Sequence, residues 1–470
     1  MIMQRQLLSA LFFFVFFLFW QSPGQCLDSV PPPVPEMWTV EEAVRFALAH
    51  SPDSAITRQR IAAARAAVKE AGSAFFPRLD VAGSYTQTDN PMFSFGNILN
   101  QGAFTQDIDF NDPGRTDNLN MAATVNYRLY NGGRDEAGIK AARSVETASQ
   151  YELEAVHSQL GYEVVKTFYT IIQAEENLQA RISAAEAINT SLAVARSRYE
   201  AGDLLKADLL SLEVQQSQAE ENLILARHAL KLANRGFLNL LGLDNGPLNL
   251  NTGSGFYQPV PEDTTPADRP ELKKIDAAID AAEALVRQAR GGYYPTADLF
   301  AGYHHDRGYE LDGDGNSWVA GVKLNYTLFN GRLTEAEVAR ANAQLEEKKE
   351  QKRKTALAIN FEVEQARLFL EETEQRLQVT EKMVEQARES AALSRVRFKE
   401  GVILSSELID VENRLTDARI RNTVARASCR IAVAGLRRAV GLEQFENSGS
   451  SSAAPDAPVQ PANIKIIEQP

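Results

Sequence analysis

The chain carries one pattern twice, and this duplication limits the possible folds more than any single motif does. Leu129-Tyr130-Asn131-Gly132 returns as Leu328-Phe329-Asn330-Gly331, at an offset of 199 residues. The offset then holds without a gap: Arg198-Tyr199 returns as Arg397-Phe398, Gly202 as Gly401, Asp208 as Glu407 and Gly242 as Gly441. Upstream, Pro52 matches Pro270, Phe76-Pro77 matches Tyr294-Pro295 and Tyr85 matches Tyr303, here at an offset of 218. Chance similarity does not stay in register over such distances, so the chain reads as a tandem duplication. The offset falls by 19 between Tyr85 and Leu129, which puts extra residues in the first copy. They fall in Asn90 to Arg115, a stretch rich in Gly, Asn and Phe with no steady period, which reads as a surface loop tolerant of insertion. The two copies then occupy 38–243 and 270–442, with a turn-rich linker at 244–269. The Ser-, Ala- and Pro-rich tail at 443–470 reads as disordered.

Each copy has the order helix, strand, strand, very long helix, turn, helix, which makes a mainly α chain with a small β part. Thr39 with Glu42 three residues later is a capping-box pattern and opens the first helix. From Arg134 to Tyr199 there is no proline, and Gly138 and Gly161 are the only glycines. The long helices expected at 134–199 and 333–398 would each run on the order of 100 Å at ~1.5 Å per residue, wider than one globular core. Val164, Phe168 and Ile171 follow three-four spacing, and Leu178, Ala185, Leu192 and Tyr199 recur at seven-residue steps. The second copy repeats those steps as Leu377, Val384, Ala391 and Phe398, which is coiled-coil spacing.

The strands are expected at about 78–89, 117–130, 296–306 and 317–329. Leu119, Met121, Ala123, Val125, Tyr127 and Leu129 alternate with Asn120, Thr124, Asn126 and Arg128. Trp318, Ala320, Val322, Leu324, Tyr326 and Leu328 alternate in the same way with Ser317, Lys323, Asn325 and Thr327. Alternation over ~10 to 12 residues suits a transmembrane β-strand with an apolar outside and a polar inside. Tyr127 and Tyr326, near one end, suit an interfacial aromatic girdle. Four strands cannot close a barrel, for which ~8 is about the minimum, and lipid does not tolerate an open edge. A membrane-spanning sheet of this kind must therefore be shared between copies, and three copies related by cyclic symmetry would supply twelve strands.

The N-terminus reads as an export signal over residues 1–26. Arg5 precedes an apolar run from Leu7 to Trp20, whose ~21 Å as a helix falls short of a ~30 Å hydrocarbon core. Gly24 and Cys26 suit the small-residue positions before a cleavage site. A lipidated Cys26 is the alternative, though Gln25 suits a lipoprotein signal badly. The net charge of −13 argues against nucleic acid as a partner. Cys26 and Cys429 form no CxxC, which excludes a disulfide framework. No GxSxG, phosphate loop, HExxH or dinucleotide fingerprint occurs, so neither catalysis nor a cofactor is expected. His304-His305-Asp306, beside Asp312-Gly313-Asp314-Gly315, reads as the start of a solvated outer hairpin loop. Its spacing does not fit a calcium loop, and no metal site is expected.

With these motifs in order and in duplicate, the sequence resembles the TolC-like outer-membrane efflux channels from about Trp38 to Leu442. The residues that carry the likeness are Thr39-Val40-Glu41-Glu42-Ala43 with Ser51-Pro52, Phe76-Pro77, the Leu-Tyr-Asn-Gly-Gly and Leu-Phe-Asn-Gly turns, and Arg-Tyr-x-x-Gly with Arg-Phe-x-x-Gly. The resemblance implies a homotrimer in the outer membrane, whose twelve-stranded barrel continues into a periplasmic helical barrel. It implies a passive exit duct in tripartite efflux or type I secretion, reached through a periplasmic adaptor from an inner-membrane pump of RND or ABC type. It places Arg198, Tyr199, Gly202, Arg397, Phe398 and Gly401 at the periplasmic tip, where the adaptor docks. It also makes Asp208, Glu407 and Asp410 candidates for an acidic ring at the entrance, while Ala207 and Ile403 depart from polar latch residues of some relatives. The competing reading is an exported, non-porous coiled-coil scaffold or adhesin, which leaves the matched strand pairs unexplained.

Overall fold

The computed structural model describes residues 34–251, 258–266 and 269–445. The expected signal at 1–26 lies outside the described residues, as does the expected tail from 446 onward. The first residues assigned to that tail are packed: Gln444 is buried and donates to the Ala434 carbonyl at 3.0 Å.

Helix α1, Val40–His50, opens on a capping box: Thr39 Oγ1 accepts from the Glu42 amide at 3.2 Å and the Glu42 carboxylate accepts from the Thr39 amide at 3.1 Å. Pro52 has no amide proton to continue α1, so it starts a second helix, α2 (Pro52–Gly72), with Ser51 as its cap. The second copy has only the counterpart of α2, which is α6 (Pro270–Arg290). The lead helix is thus divided in the first copy alone, a departure from the common order expected of both.

The long helices α4 (Arg134–Glu200) and α7 (Leu333–Lys399) are unbroken over 67 residues each, or about 100 Å. Each turns back into a helix of 36 residues, α5 (Lys206–Leu241) and α8 (Ser405–Val440). The reversals sit at Gly202 (φ 84°) and Gly401 (φ 75°). There the amides of Asp203 and Val402 bond back to the carbonyls of Arg198 and Arg397, both at 2.8 Å. This closure requires a left-handed residue, which glycine adopts without a Cβ clash. Among the described residues no helix is long and apolar enough to cross a membrane.

The largest core is a belt at mid-length. Trp38, Val40, Val44 and Phe46 pack against Leu160, Val164, Val165, Phe168 and Ile171 of α4 and against Phe237 and Leu241 of α5. Trp38 is fully buried, edge-on to Phe46 at 5.2 Å and to Phe237 at 6.3 Å. Its backbone also bonds to Asn249 and Asn251, which straps the start of the linker across the belt. At the start of the second copy Arg269, which precedes Pro270 as Ser51 precedes Pro52, ties the lead helix to α8. It is buried, caps the last carbonyls of α8 (Arg438 and Ala439, 3.1 and 2.9 Å) and pairs with Glu271 and Glu362.

The four strands form one antiparallel sheet in the order β1 (Arg78–Thr88), β2 (Thr116–Tyr130), β3 (Thr296–Arg307), β4 (Asp314–Asn325). The β2–β3 pairing joins the two copies, and β1 and β4 are edges. Strand β4 ends at Asn325, opposite the first residue of β3, rather than near 329. Beyond Asn325 no rung of β3 remains to pair with, so Tyr326 lies outside the strand while Tyr127 lies within one. The inserted stretch at 90–115 is not wholly a loop, since it contains helix α3 (Pro91–Asn100).

Trp38→Ala should cost about 3–5 kcal/mol through the cavity it leaves. Thermal unfolding of the detergent-solubilised protein should record a clear loss for it and little change for exposed Met37→Ala.

Candidate functional site

The register sorts the sheet into two faces. Leu79, Val81 and Tyr85 of β1 share a face with Met121, Val125 and Tyr127 of β2, Leu299 and Tyr303 of β3, and Trp318, Val322 and Leu324 of β4. This apolar face is uncovered, Trp318 being 77% exposed. A continuous patch of this size on a folded chain marks a surface made for lipid or for another protein. The opposite face carries Arg78, Asp80, Ser84, Thr124, Asn126, Arg128, Asp298, Ser317 and Lys323.

The far end of the polar face is organised by groups that the sequence reading had assigned to loops. Helix α3 lies on it: Ser94 Oγ donates to the Thr88 carbonyl (3.0 Å), Asn97 Nδ2 to Thr116 Oγ1 (3.1 Å) and Gln101 Nε2 to Asn118 Oδ1 (3.1 Å). The missed signal was Asn90-Pro91, a side-chain cap followed by proline at the first helical position. His304-His305-Asp306 lies inside β3 rather than in a solvated turn. Asp306 is buried and accepts from the side-chain amides of Asn118 (2.6 Å) and Asn120 (2.8 Å), which gives the sheet a cross-strand polar link. His305 Nδ1 meets Asn316 Oδ1 at 2.8 Å. Among the described residues no cluster is suited to hold a metal.

At the opposite end of the molecule the two helical hairpins come together. Leu192, Ala195 and Leu212 of the first copy form one apolar cluster with Phe398 and Leu408 of the second, joined by Ile403 at its margin. Ile403 therefore serves packing rather than a polar contact. Arg198 crosses between the hairpins, donating to the Phe398 carbonyl at 3.1 Å and to the Asp203 carbonyl at 3.2 Å. Its guanidinium lies 5.6 Å from the centre of the Phe398 ring, within cation–π range. Tyr199 and Arg397 are exposed. Of the candidate carboxylates, Glu407 and Asp410 are exposed on α8 and Asp208 is half-buried on α5. Asp410 pairs with Arg414 one turn on, at 2.6 Å. Among the described residues the three carboxylates form no cluster suited to hold a metal.

A duplicated ion pair, absent from the sequence reading, braces each hairpin about two turns behind its tip. Arg196 meets Glu213 at 3.3 Å in the first copy. In the second, Arg395 holds Glu412 with two bonds, Nη2 to Oε2 at 2.7 Å, and Glu412 keeps only 6% of its side chain exposed. Arg395→Ala should therefore cost about 2 kcal/mol by stranding a buried carboxylate, and Arg196→Ala at most about 1 kcal/mol. Thermal unfolding of the two variants side by side measures the difference.

The comparisons with known proteins agree with this architecture. The family model described as outer membrane efflux protein matches residues 43–243 and 264–442. Protein CyaE of Bordetella pertussis is 24% identical over 437 residues, spanning 89% of this chain and 88% of its own. The pyoverdine export outer membrane protein OpmQ of Pseudomonas aeruginosa is 24% identical over 428 residues, spanning 86% of this chain and 85% of its own. Among solved structures, the outer membrane protein VceC of Vibrio cholerae matches with a TM-score of 0.72 at 18% identity, over 86% of this chain and 97% of that one. At that identity the likeness is one of fold.

Proposed function

The chain belongs to the outer membrane efflux protein family, and from that membership we propose that three copies form one channel, the passive exit duct of a tripartite efflux or type I secretion system. The observation that carries this reading is the four-stranded sheet, apolar on one face and polar on the other, with both edges unpaired. In lipid every backbone donor and acceptor needs a partner, so β4 of one copy must pair with β1 of the next until the ring closes. Twelve strands ~4.8 Å apart and tilted ~40° would enclose a cylinder roughly 24 Å across at the backbone. The polar face then lines the passage, and α3 of each copy narrows its outer end.

The helices support the same closure. Within one chain α4 of the first copy packs against α8 of the second. Their counterparts, α7 and α5, leave Leu357, Phe361 (70% exposed) and Leu368, and Val214, Leu225 and Leu232 (75% exposed), uncovered. A neighbouring copy would bury these stripes by repeating the packing already present inside the chain. A non-porous coiled-coil scaffold accounts for neither the sheet edges nor this pairing.

The helical tips, with Arg198, Tyr199, Gly202, Arg397, Phe398 and Gly401, are the proposed docking surface for a periplasmic adaptor, which joins the duct to an inner-membrane pump of RND or ABC type. Tyr127 and Tyr326 are proposed for the interfacial girdle. We assign the chain no chemistry of its own, and the pump selects the cargo.

Two measurements test the reading. The protein purified in mild detergent should have the mass of a trimer and conduct as single channels in a planar bilayer, whereas a silent monomer that leaves membranes in carbonate would overturn it. Glu407 and Asp410, repeated around a three-fold axis, form the proposed acidic ring at the entrance, with Asp208 beside them. Glu407→Gln combined with Asp410→Asn should weaken block of the channel by multivalent cations severalfold, and unchanged block would remove these residues from the entrance.

A further inference from the structure

The arginine that ties the two hairpin tips together has a duplicate, Arg397, whose side chain has no partner among the described residues. Arg198 reaches the Phe398 carbonyl at the last turn of α7, where the end of the helix dipole favours a cation. It covers the Phe398 ring, which is 2% exposed. It also fills the space at Gly401, where an added Cβ would lie 3.1 Å from Nη2. The duplication maps each part of this arrangement: Arg198 onto Arg397, Phe398 onto Tyr199, Gly401 onto Gly202 and Asp203 onto Val402.

The receiving half is present in both copies. The Tyr199 carbonyl accepts from the Gly202 amide at 3.1 Å, as the Phe398 carbonyl accepts from the Gly401 amide at 3.1 Å. Yet the space at Gly202 is open and Tyr199 is 41% exposed. Arg397 is exposed in the last turn of α7. One chain therefore holds one completed clasp and the two separated halves of another.

We propose that Arg397 clasps a second copy of this chain, donating to the carbonyl of the partner's Tyr199, covering its ring and filling the space at the partner's Gly202. Resting on the trimeric reading above, this gives the tip six equivalent clasps, three within chains and three between them, and so repeats around the ring the approximate two-fold repeat of the sequence.

Cysteine pairs in a Cys429→Ser background test it. Arg198→Cys with Val402→Cys, and Arg397→Cys with Asp203→Cys, occupy equivalent places under the duplication. Treated with a short thiol-to-thiol linker in the detergent-purified particle, the Arg397/Asp203 pair should give covalent dimers and trimers on a denaturing gel. The Arg198/Val402 pair should stay monomeric with altered mobility, and each single cysteine should remain unlinked. A particle of trimeric mass whose Arg397/Asp203 pair forms no link between chains overturns the clasp and leaves the channel reading standing. A particle that is not a trimer overturns both.

Discussion

A β-sheet edge is a row of backbone donors and acceptors that must be paired or hydrated, and in this chain two such rows stand at either side of a sheet whose outer face is apolar. Water cannot serve them if that face enters lipid, because unmet backbone groups cost several kcal/mol each in hydrocarbon. Among the described residues there are four strands, and neither edge of their sheet is paired. The uncovered stripes on α5 and α7 leave room for the same answer, closure with other chains, which the proposed trimer supplies.

The duplication is approximate where it needs to be. Both copies keep 67-residue and 36-residue helices, so the two hairpins match in length and end level with each other. They differ at mid-length, where the first copy adds α1 and Trp38 and the second uses Arg269 to cap α8. They differ again at the outer end of the sheet, where only the first copy carries α3. The long helices and their hairpin partners repeat between the two halves of the sequence, whereas the mid-length belt and the outer end of the sheet do not.

Much of this was legible in the sequence because its strongest signals are periodic. The long helices show as proline-free runs with apolar residues at three, four and seven, and the strand faces as alternation from Leu119 to Leu129. What escaped was aperiodic and depended on contacts distant in sequence. Helix α3 is short and its buried positions, Ser94, Ile98 and Gln101, are mostly polar, because it packs on a polar sheet face. Asp306 looked like a loop residue since nothing nearby in the chain announces that Asn118 and Asn120 will meet it. The end of β4 was overestimated because alternation continues to Leu328 after the partner strand has run out. The Arg395–Glu412 brace lies on two helices, and only the turn at Gly401 brings its halves together.

The unbroken length of α4 and α7 also makes them levers. Helix α4 is gripped at the mid-length belt and α7 by a separate cluster in which Val363 and Leu370 meet Leu436 and Val440 of α8, and neither helix contains a proline that would let one part bend independently of the rest. From the belt near Val165 to the turn at Gly202 is about 50 Å of helix, so a rotation of about 5° at the belt swings the tip by about 4 Å. Packing changes too small to notice around Trp38 are thus magnified at the far end. Force applied to such a chain at its tips alone would turn it about a fulcrum roughly 50 Å away.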